Sequence, residues 1–306
     1  SYGFVGLGRM GYPMATNLLH KLNIPSDHLT IYDLNQQSLE SFSSLSQTSG
    51  LEKSVSIAHS LNEIAQCDIV ISMLPLPKHV EQTYKTIVSY LSQQPDCQAR
   101  LFIDCSTIDP MTSNRVAATM PTETSFVDAP VSGGVVGATN ATLTFMVGAS
   151  TLTTDLETTL KKLGTKVVSC GPQGSGLVAK LANNYLLAVC NIATCEAFHL
   201  ASKAGLDLAT FAAIVNSSSG ANWSSIVNNP VPGIVTTAPA GRAYDNGFGI
   251  GLMKKDIGLC EELANQTGVK FLLADRVNAI YNKLEADQNL KNKDLSVVYK
   301  YLHDHE

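Results

Sequence analysis

The sequence predicts an α/β fold: a doubly wound, mostly parallel sheet, followed by an all-α C-terminal domain reached through a long helix. Three observations predict it. Up to Cys170, short β-rich runs alternate with amphipathic stretches, the pattern of a sheet covered by helices on both faces. After Cys170, apolar residues recur at helical spacing over about thirty residues and stop at Gly205. From there to Glu306 only helical patterns occur.

Strands are expected at 2–8, 29–33, 68–74, 101–107, 125–131, 143–149 and 166–170, with a weaker one at 55–58. Between them Met10, Met14, Leu18 and Leu22 repeat every four residues, as do Val80, Tyr84 and Val88, with Leu91 one short. That is helical spacing. Ser60 with Glu63 forms a capping-box pattern, and Asp109 before Pro110 offers an N-cap and a first helical residue. Past Gly205, helices are expected near 208–216, 250–267, 274–288 and 294–302, separated by SSSG, NPVPG and NQTG loops. At 306 residues the chain suits two domains, 1–171 and 172–306.

Composition narrows the function classes. Twenty-six acidic against twenty-one basic residues give a net charge of −5, and no Lys/Arg block could neutralise a row of phosphates, which argues against nucleic acid as partner. Seven cysteines (Cys67, Cys97, Cys105, Cys170, Cys190, Cys195, Cys260) form no C-x-x-C pair and mostly have apolar neighbours, as small core residues do. Asn183, Asn184, Asn191 and Glu196 interrupt the most apolar helix, so no run nears the ~18 residues of a bilayer span and no membrane partner is expected. No presequence is read ahead of the first strand. His303 and His305 read as a solvated tail, and no metal is expected.

Gly6, Gly8 and Gly11 make G-x-G-x-x-G between an apolar strand and an amphipathic helix, and Asp33 ends the next strand twenty-five residues beyond Gly8. In that context the motif is a dinucleotide site of Rossmann type. The first glycine allows a tight turn, the second lets backbone approach a pyrophosphate, and the third lets helix and strand pack closely. Gly6, Leu7, Gly8, Arg9, Met10 and Gly11 are therefore expected to line the cofactor, with the helix N-terminus aimed at its phosphates. Asp33 accepts hydrogen bonds from ribose hydroxyls and repels a 2′-phosphate, and neither Leu34 nor Asn35 supplies a cation to hold one, so the expected cofactor is NAD. Leu74, Pro75 and Thr107, at other strand ends on the same edge, are candidate walls for the nicotinamide half.

Lys180 and Asn184 are four apart on the long helix and share a face, with Asn183 nearly aligned. A lysine among Leu177, Val178, Ala179, Leu181 and Ala182 is costly unless solvated in a cleft or paired, which makes it a candidate acid/base group. A snorkelling lysine would satisfy the same pattern. In DAPVSGGVVGA, Ser132, Gly133 and Gly134 could hold a carboxylate through a hydroxyl and closely approachable N–H groups.

GLGRMGYPMATNL, DCSTIDP, DAPVSGG, LTFMVG, GxxGSGxxxKLANN, NPVPG and LMKKDIGL occur together and in this order. In that combination the chain resembles the β-hydroxyacid dehydrogenase family over essentially its whole length. The resemblance implies an active site between a Rossmann-type and a helical domain, and NAD-dependent oxidation of 3-hydroxyisobutyrate to methylmalonate semialdehyde, a step of valine catabolism. By motif, Lys180 matches the family's catalytic lysine and Asn184 the asparagine that helps place the substrate, while Ser132, Gly133 and Gly134 match its substrate-binding segment. Lys255 matches a lysine close to the cofactor, with Asp256 as its orienting partner, and Thr107 a residue close to the nicotinamide. Trp223 and the 229–233 loop look like the hydroxyisobutyrate branch. A small hydroxy-carboxylate substrate, a homodimer or homotetramer, and mitochondrial matrix residence with the cytoplasm as alternative are implied in the same way. Departures are His79, a cofactor-site position where related chains tend to carry Asn, and turns at 24–28 and 93–100 that look longer than usual.

On this reading, neutral Lys180 takes the hydroxyl proton as hydride leaves the substrate carbon, and Asn184 polarises the same oxygen. Free lysine titrates near about 10.4. Burial and the nicotinamide cation are expected to lower that value, so oxidation should speed up from neutral toward alkaline pH. Sister activities, a tartronate semialdehyde or succinic semialdehyde/glyoxylate reductase, are the nearest alternatives, and Asp33 and NPVPG argue against both. A non-catalytic NAD-binding module is the alternative from another class. Lys180, Asn184 and the 132–134 loop together argue against it.

Overall fold

The computed structural model describes residues 1–94 and 100–305, which fall into two compact units, Ser1–Lys180 and Leu181–Glu306. Cys97 and most of the 93–100 turn lie outside the described residues.

In the first unit, β1 (Tyr2–Val5), β2 (Leu29–Tyr32), β3 (Val55–Ile57), β4 (Ile69–Ser72), β5 (Arg100–Asp104) and β6 (Thr124–Asp128) pair in parallel in the order β3-β2-β1-β4-β5-β6. The order reverses between β1 and β4, and open sheets of this kind bind ligands at the carboxyl edge there. Helices α1 (Gly11–His20), α2 (Gln36–Thr48), α3 (Leu61–Ile64), α4 (Pro77–Leu91) and α5 (Pro110–Thr119) make the crossovers. One apolar layer joins Met14, Leu18 and Leu19 of α1 to Phe4 and Ile31. Another joins Val80, Tyr84 and Ile87 of α4 to Val5, Val70 and Phe102. The buried stripe of α4 thus passes through Ile87 rather than Val88, because a 3.6-residue turn drifts off a strict repeat of four.

Helix starts follow their capping chemistry. Asp109 accepts the Thr112 N–H at 2.7 Å, as its place before Pro110 implies. Ser60 departs from the capping-box pattern. Its hydroxyl does not cap α3; it donates to the Glu63 carboxylate at 3.2 Å, which also accepts the His59 N–H at 3.1 Å. The α2 helix, which no periodic argument singled out, is capped by the Asn35 side chain on the Gln37 N–H at 3.0 Å.

The run expected as one strand at 125–131 is divided. β6 stops at Asp128, Pro130 has no N–H to give a ladder, and β7 (Val131–Ser132) joins a second sheet. α6 (Gly134–Thr139) leads to β8 (Leu143–Val147), and α7 (Thr154–Lys161) to β9 (Gly164–Ser169), in the order β7-β8-β9. Asn17 of α1 ties α6 down: its Nδ2 donates to the Ala138 carbonyl at 2.7 Å and the Thr139 carbonyl at 3.0 Å, besides Pro13 of its own helix at 3.1 Å.

The long helix, α8 (Ser175–Lys203), contains the boundary between the units. It ends at Gly205, where φ is +79° and the Leu206 N–H reaches back to the Ala201 carbonyl at 3.0 Å. By length and composition it is apolar enough to cross a membrane. Part of its apolar surface packs in protein cores, Leu177 in the first unit and Ala188, Ile192, Cys195 and Phe198 in the second, while Val178, Leu186 and Leu200 are exposed. In that second unit α9 (Leu208–Asn216), α10 (Trp223–Ile226), α11 (Ile250–Thr267), α12 (Ala274–Ala286) and α13 (Val298–Asp304) follow, the last preceded by a 3₁₀ turn at Leu295–Val297. The core there gathers Ile257, Tyr281, Leu284 and Leu295, all unexposed.

Asn17 donates from α1 to two carbonyls in the last turn of α6, so Asn17→Ala is expected to cost about 2 kcal/mol in a denaturant titration. Asn17→Asp, which has no N–H to donate, should lose at least as much.

Candidate active site

The three glycines of the opening turn do different work. Gly6 has φ +93°, and a Cβ there would lie 2.4 Å from the Met73 carbonyl oxygen. At Gly11 a Cβ would lie 1.8 Å from the Gly6 carbonyl oxygen, so α1 and β1 approach as closely as backbone permits. A Cβ on Gly8, by contrast, would meet nothing within 4 Å. The open face at Gly8, beside the first turn of α1, is the approach a pyrophosphate requires, so the residues present fit a dinucleotide. Arg9 is exposed and Met10 half-buried.

Asp33 is fixed from two sides. Its Oδ2 accepts the Leu7 N–H of the turn itself, and its Oδ1 accepts the Asn35 N–H at 2.7 Å. An ionised carboxylate has further acceptor positions on both oxygens, which is what ribose hydroxyls need. Strand register brings the rest of this set to one edge, because Val5 pairs with both Tyr32 and Ser72, and Ser72 with Asp104. Leu74, Pro75 and Thr107 follow these strand ends, and the half-buried His79 sits in the first turn of α4. The Leu74 N–H donates to the Ser106 hydroxyl at 2.8 Å, joining the two loops.

Ser132 lies in β7 opposite Thr144, and Gly133 and Gly134 follow with φ +135° and +62°. Both glycines are exposed at the start of α6. Four residues ahead of Ser132, Asp128 is fully buried, and its carboxylate accepts N–H groups at the start of α8: Gly174 on Oδ1 at 2.7 Å and Leu177 on Oδ2 at 2.9 Å. Burial pushes the Asp128 carboxyl above the usual range, and these bonds pull it back in part. No periodic argument points to Asp128. The signals were its place heading DAPVSGG and the glycines of GxxGSG that make room for it.

Lys180, in the second turn of α8, is 8% exposed. Asn184 follows one turn later at 1%. Within the second unit Asn184 donates through Nδ2 to Asp256 Oδ2 at 2.6 Å, and the Lys255 ammonium lies 3.1 Å from Asp256 Oδ1. Asp256 thus meets both Lys255 and Asn184. Trp223, at the start of α10, is 47% exposed, and Asn229 of the NPVPG loop turns inward to donate to the Ser225 carbonyl at 3.0 Å. Asp294 was missed by sequence reasoning. Buried, it accepts from Asn228 at 2.9 Å and from the Phe248 N–H at 2.7 Å, holding the stretch before NPVPG and the approach to α11.

Residues 1–171 match the family described as the NAD binding domain of 6-phosphogluconate dehydrogenase, and residues 174–302 the NAD-binding domain of NADP-dependent 3-hydroxyisobutyrate dehydrogenase. The chain is 38% identical to a probable mitochondrial 3-hydroxyisobutyrate dehydrogenase of Dictyostelium discoideum, over 98% of this chain and 90% of that one. The chain belongs to the 3-hydroxyisobutyrate dehydrogenase family. A Pseudomonas aeruginosa relative, named NAD-dependent L-serine dehydrogenase, is 38% identical over 97% of this chain and 96% of its own. A solved structure of Mycobacterium tuberculosis 3-hydroxyisobutyrate dehydrogenase with L-serine superposes with a TM-score of 0.84 at 34% identity, covering 98% of both chains. This dehydrogenase is therefore an NAD-dependent oxidoreductase of the β-hydroxyacid type.

At the ends of β4 and β5 lies a polar network that sequence reasoning missed. Asp104 is unexposed, and its Oδ1 accepts the hydroxyls of Ser72 at 2.7 Å and Ser106 at 2.6 Å, while Oδ2 has no hydrogen-bond partner among the described residues. Tyr84 completes the chain with its hydroxyl 2.8 Å from that of Ser72. Burial raises the Asp104 carboxyl to about 6, against the pull of the serine hydroxyls. A carboxyl raised on folding contributes its stability in the protonated form, fully present below about 4 and lost as pH climbs through about 6. By pH 8 that loss is about 3 kcal/mol. The stability of Asp104→Asn relative to the parent should therefore rise between pH 4 and pH 8. Parallel pH–stability curves from urea titrations would contradict an ionising, desolvated Asp104.

Proposed function

We propose that this dehydrogenase oxidises the primary alcohol of 3-hydroxyisobutyrate to methylmalonate semialdehyde, with Lys180 as general base. The observation that carries the reading is a lysine buried to 8% exposure on a helix whose next turn presents the buried Asn184. Burial disfavours an ammonium, and a neutral amine can accept a proton. Lys180 Nζ takes the hydroxyl proton as the carbon–hydrogen pair departs as hydride, leaving a carbonyl. Bound NAD supplies the hydride acceptor. Asp256 fixes the Asn184 amide with its nitrogen as the donor side, an orientation suited to polarising the substrate oxygen. The Ser132 hydroxyl and the Gly133 and Gly134 N–H groups hold the carboxylate and so decide which carbon faces the nicotinamide. Thr107, Leu74, Pro75 and His79 line the cofactor in this reading, and the match of Lys255 to the family motif supports a role for it toward the cofactor.

L-Serine is the second reading, favoured by the name of the Pseudomonas relative. Serine has the same hydroxymethyl group next to a carbon bearing carboxylate, with an ammonium in place of the methyl. The test is the initial rate of NADH formation with each 3-hydroxyisobutyrate enantiomer, L-serine, glycerate and 3-hydroxypropionate, using NAD and NADP. One 3-hydroxyisobutyrate enantiomer with NAD should show the highest kcat/KM, rising from neutral to alkaline pH. Higher kcat/KM for L-serine would overturn the substrate assignment. Near-native turnover by a Lys180→Ala protein that binds NADH normally would overturn the general base.

We also infer residence in the mitochondrial matrix and a place in valine catabolism, supported by the mitochondrial name of the Dictyostelium relative. Recovery of the tagged native gene product with cytosolic markers on cell fractionation would contradict that location.

A further inference from the structure

We propose that Asp128 is a positioning residue for the reaction, setting Lys180 and the carboxylate-holding loop 132–134 in one register through the start of α8. The proposal rests on the reading of Lys180 as the proton acceptor. Two halves of the first unit meet on this side chain. On one side its oxygens take the N–H groups of Gly174 and Leu177, and the Gly176 N–H also bonds to it. Lys180 comes three residues after Leu177, about 4.5 Å along the axis and within the same rigid turn. On the other side Asp128 opens the segment that ends in Ser132. Backbone bonds from Gly148 to the Asp128 carbonyl at 2.8 Å and from Met146 to the Pro130 carbonyl at 3.0 Å pin that segment to β8.

The fit leaves no slack. A Cβ on Gly148 would lie 1.9 Å from Asp128 Oδ1, and one on Gly176 would lie 2.9 Å from Oδ2 and 2.2 Å from the Met146 carbonyl oxygen. Two glycines, from β8's end and α8's first turn, are thus shaped around one carboxylate. Only a carboxylate meets the demand. Converging N–H donors occupy both oxygens, and an Asn would turn an NH₂ group toward one of those donors.

The experiment compares the full-length protein with Asp128→Asn, Gly176→Ala, Lys180→Ala and the Asp128→Asn/Lys180→Ala pair. Four quantities are read: the NADH dissociation constant by fluorescence, kcat and KM, the pH profile, and the isotope effect for substrate deuterated at the hydroxymethyl carbon. Asp128→Asn is expected to lower kcat on the order of 10²-fold, raise the isotope effect and move the alkaline limb of the profile. NADH affinity should stay within about twofold, since Gly6 to Gly11 and Asp33 are untouched. The paired variant should lose less than the product of the two single losses, because with Lys180 gone Asp128 has only the loop 132–134 left to position. A kcat within about twofold of the parent for Asp128→Asn, or losses that multiply in the pair, would overturn the proposal. Should Asp128→Asn fail to fold, Gly176→Ala decides, since it disturbs the same joint and keeps the charge: lowered kcat with retained NADH binding supports the proposal, and unchanged kcat overturns it. Loss of the Lys180 reading is visible separately, as near-native turnover by Lys180→Ala.

Discussion

The bond between the Asp128 carboxylate and the opening N–H groups of α8 is the interaction on which the remaining geometry depends. A helix leaves its first N–H groups without partners, and here water cannot serve them because Asp128 is unexposed and Gly174, Gly176 and Leu177 are all buried. A negative charge at that end gains from the helix dipole as well as from the bonds. Its neighbour in the sheet shows the alternative outcome. Asp104 pairs in register with Asp128 across β5 and β6, yet it meets two hydroxyls and the Ser106 N–H rather than a helix end, and one of its oxygens has no hydrogen-bond partner among the described residues. Both carboxyls are raised by burial. Asp128 is supported by backbone that cannot move without displacing a helix, whereas the two shortest bonds to Asp104 come from hydroxyls that can rotate.

A second constraint runs through α1. Its first turn forms the dinucleotide end of the sheet, and Asn17, two turns on, holds the last carbonyls of α6. The start of that same α6 carries Gly133 and Gly134. One helix therefore adjoins the glycine turn at its N-terminus and, through its side, steadies the helix that begins at the segment proposed to hold the carboxylate. Asp33 adds a third tie, since one of the two N–H groups it accepts belongs to Leu7, inside the glycine turn.

The sequence made some of this legible and hid the rest for definite physical reasons. Gly6, Gly8, Gly11 and Asp33 were readable because the turn's steric demands are local and leave a fixed spacing. Lys180 and Asn184 were readable as a pair because helical geometry turns a spacing of four into a shared face. The Ser72–Asp104–Ser106 network, the Asp128 joint and the Asn17 clasp were not. Their partners lie 32, 46 and 121 residues apart, distances set by topology and carried by no period. The same limit explains the strand divided at Pro130, because its halves alternate like one strand and only pairing assigns them to different sheets. At Ser60 the motif named the right helix start with the wrong donor, since Ser, Glu and backbone can satisfy one another in more than one way.

Substrate choice is the step where shared geometry stops discriminating. In the proposed roles, Lys180, Asn184 and the 132–134 loop meet a hydroxyl and a carboxylate, features that 3-hydroxyisobutyrate and L-serine have in common. Discrimination must come from whatever meets the third substituent, and the two demands are unequal. A methyl group needs only an apolar wall of the right size, and a misfit of one methylene costs about 1–3 kcal/mol. An ammonium buried without an acceptor loses several kcal/mol of hydration, so a site that lacks one rejects serine without any further device. Accepting serine therefore takes a specific acceptor, whereas accepting hydroxyisobutyrate takes only its absence. On that asymmetry, an acidic or carbonyl group facing the third substituent is the change that acceptance of serine requires, and it makes no demand on Lys180, Asn184 or the glycine loop.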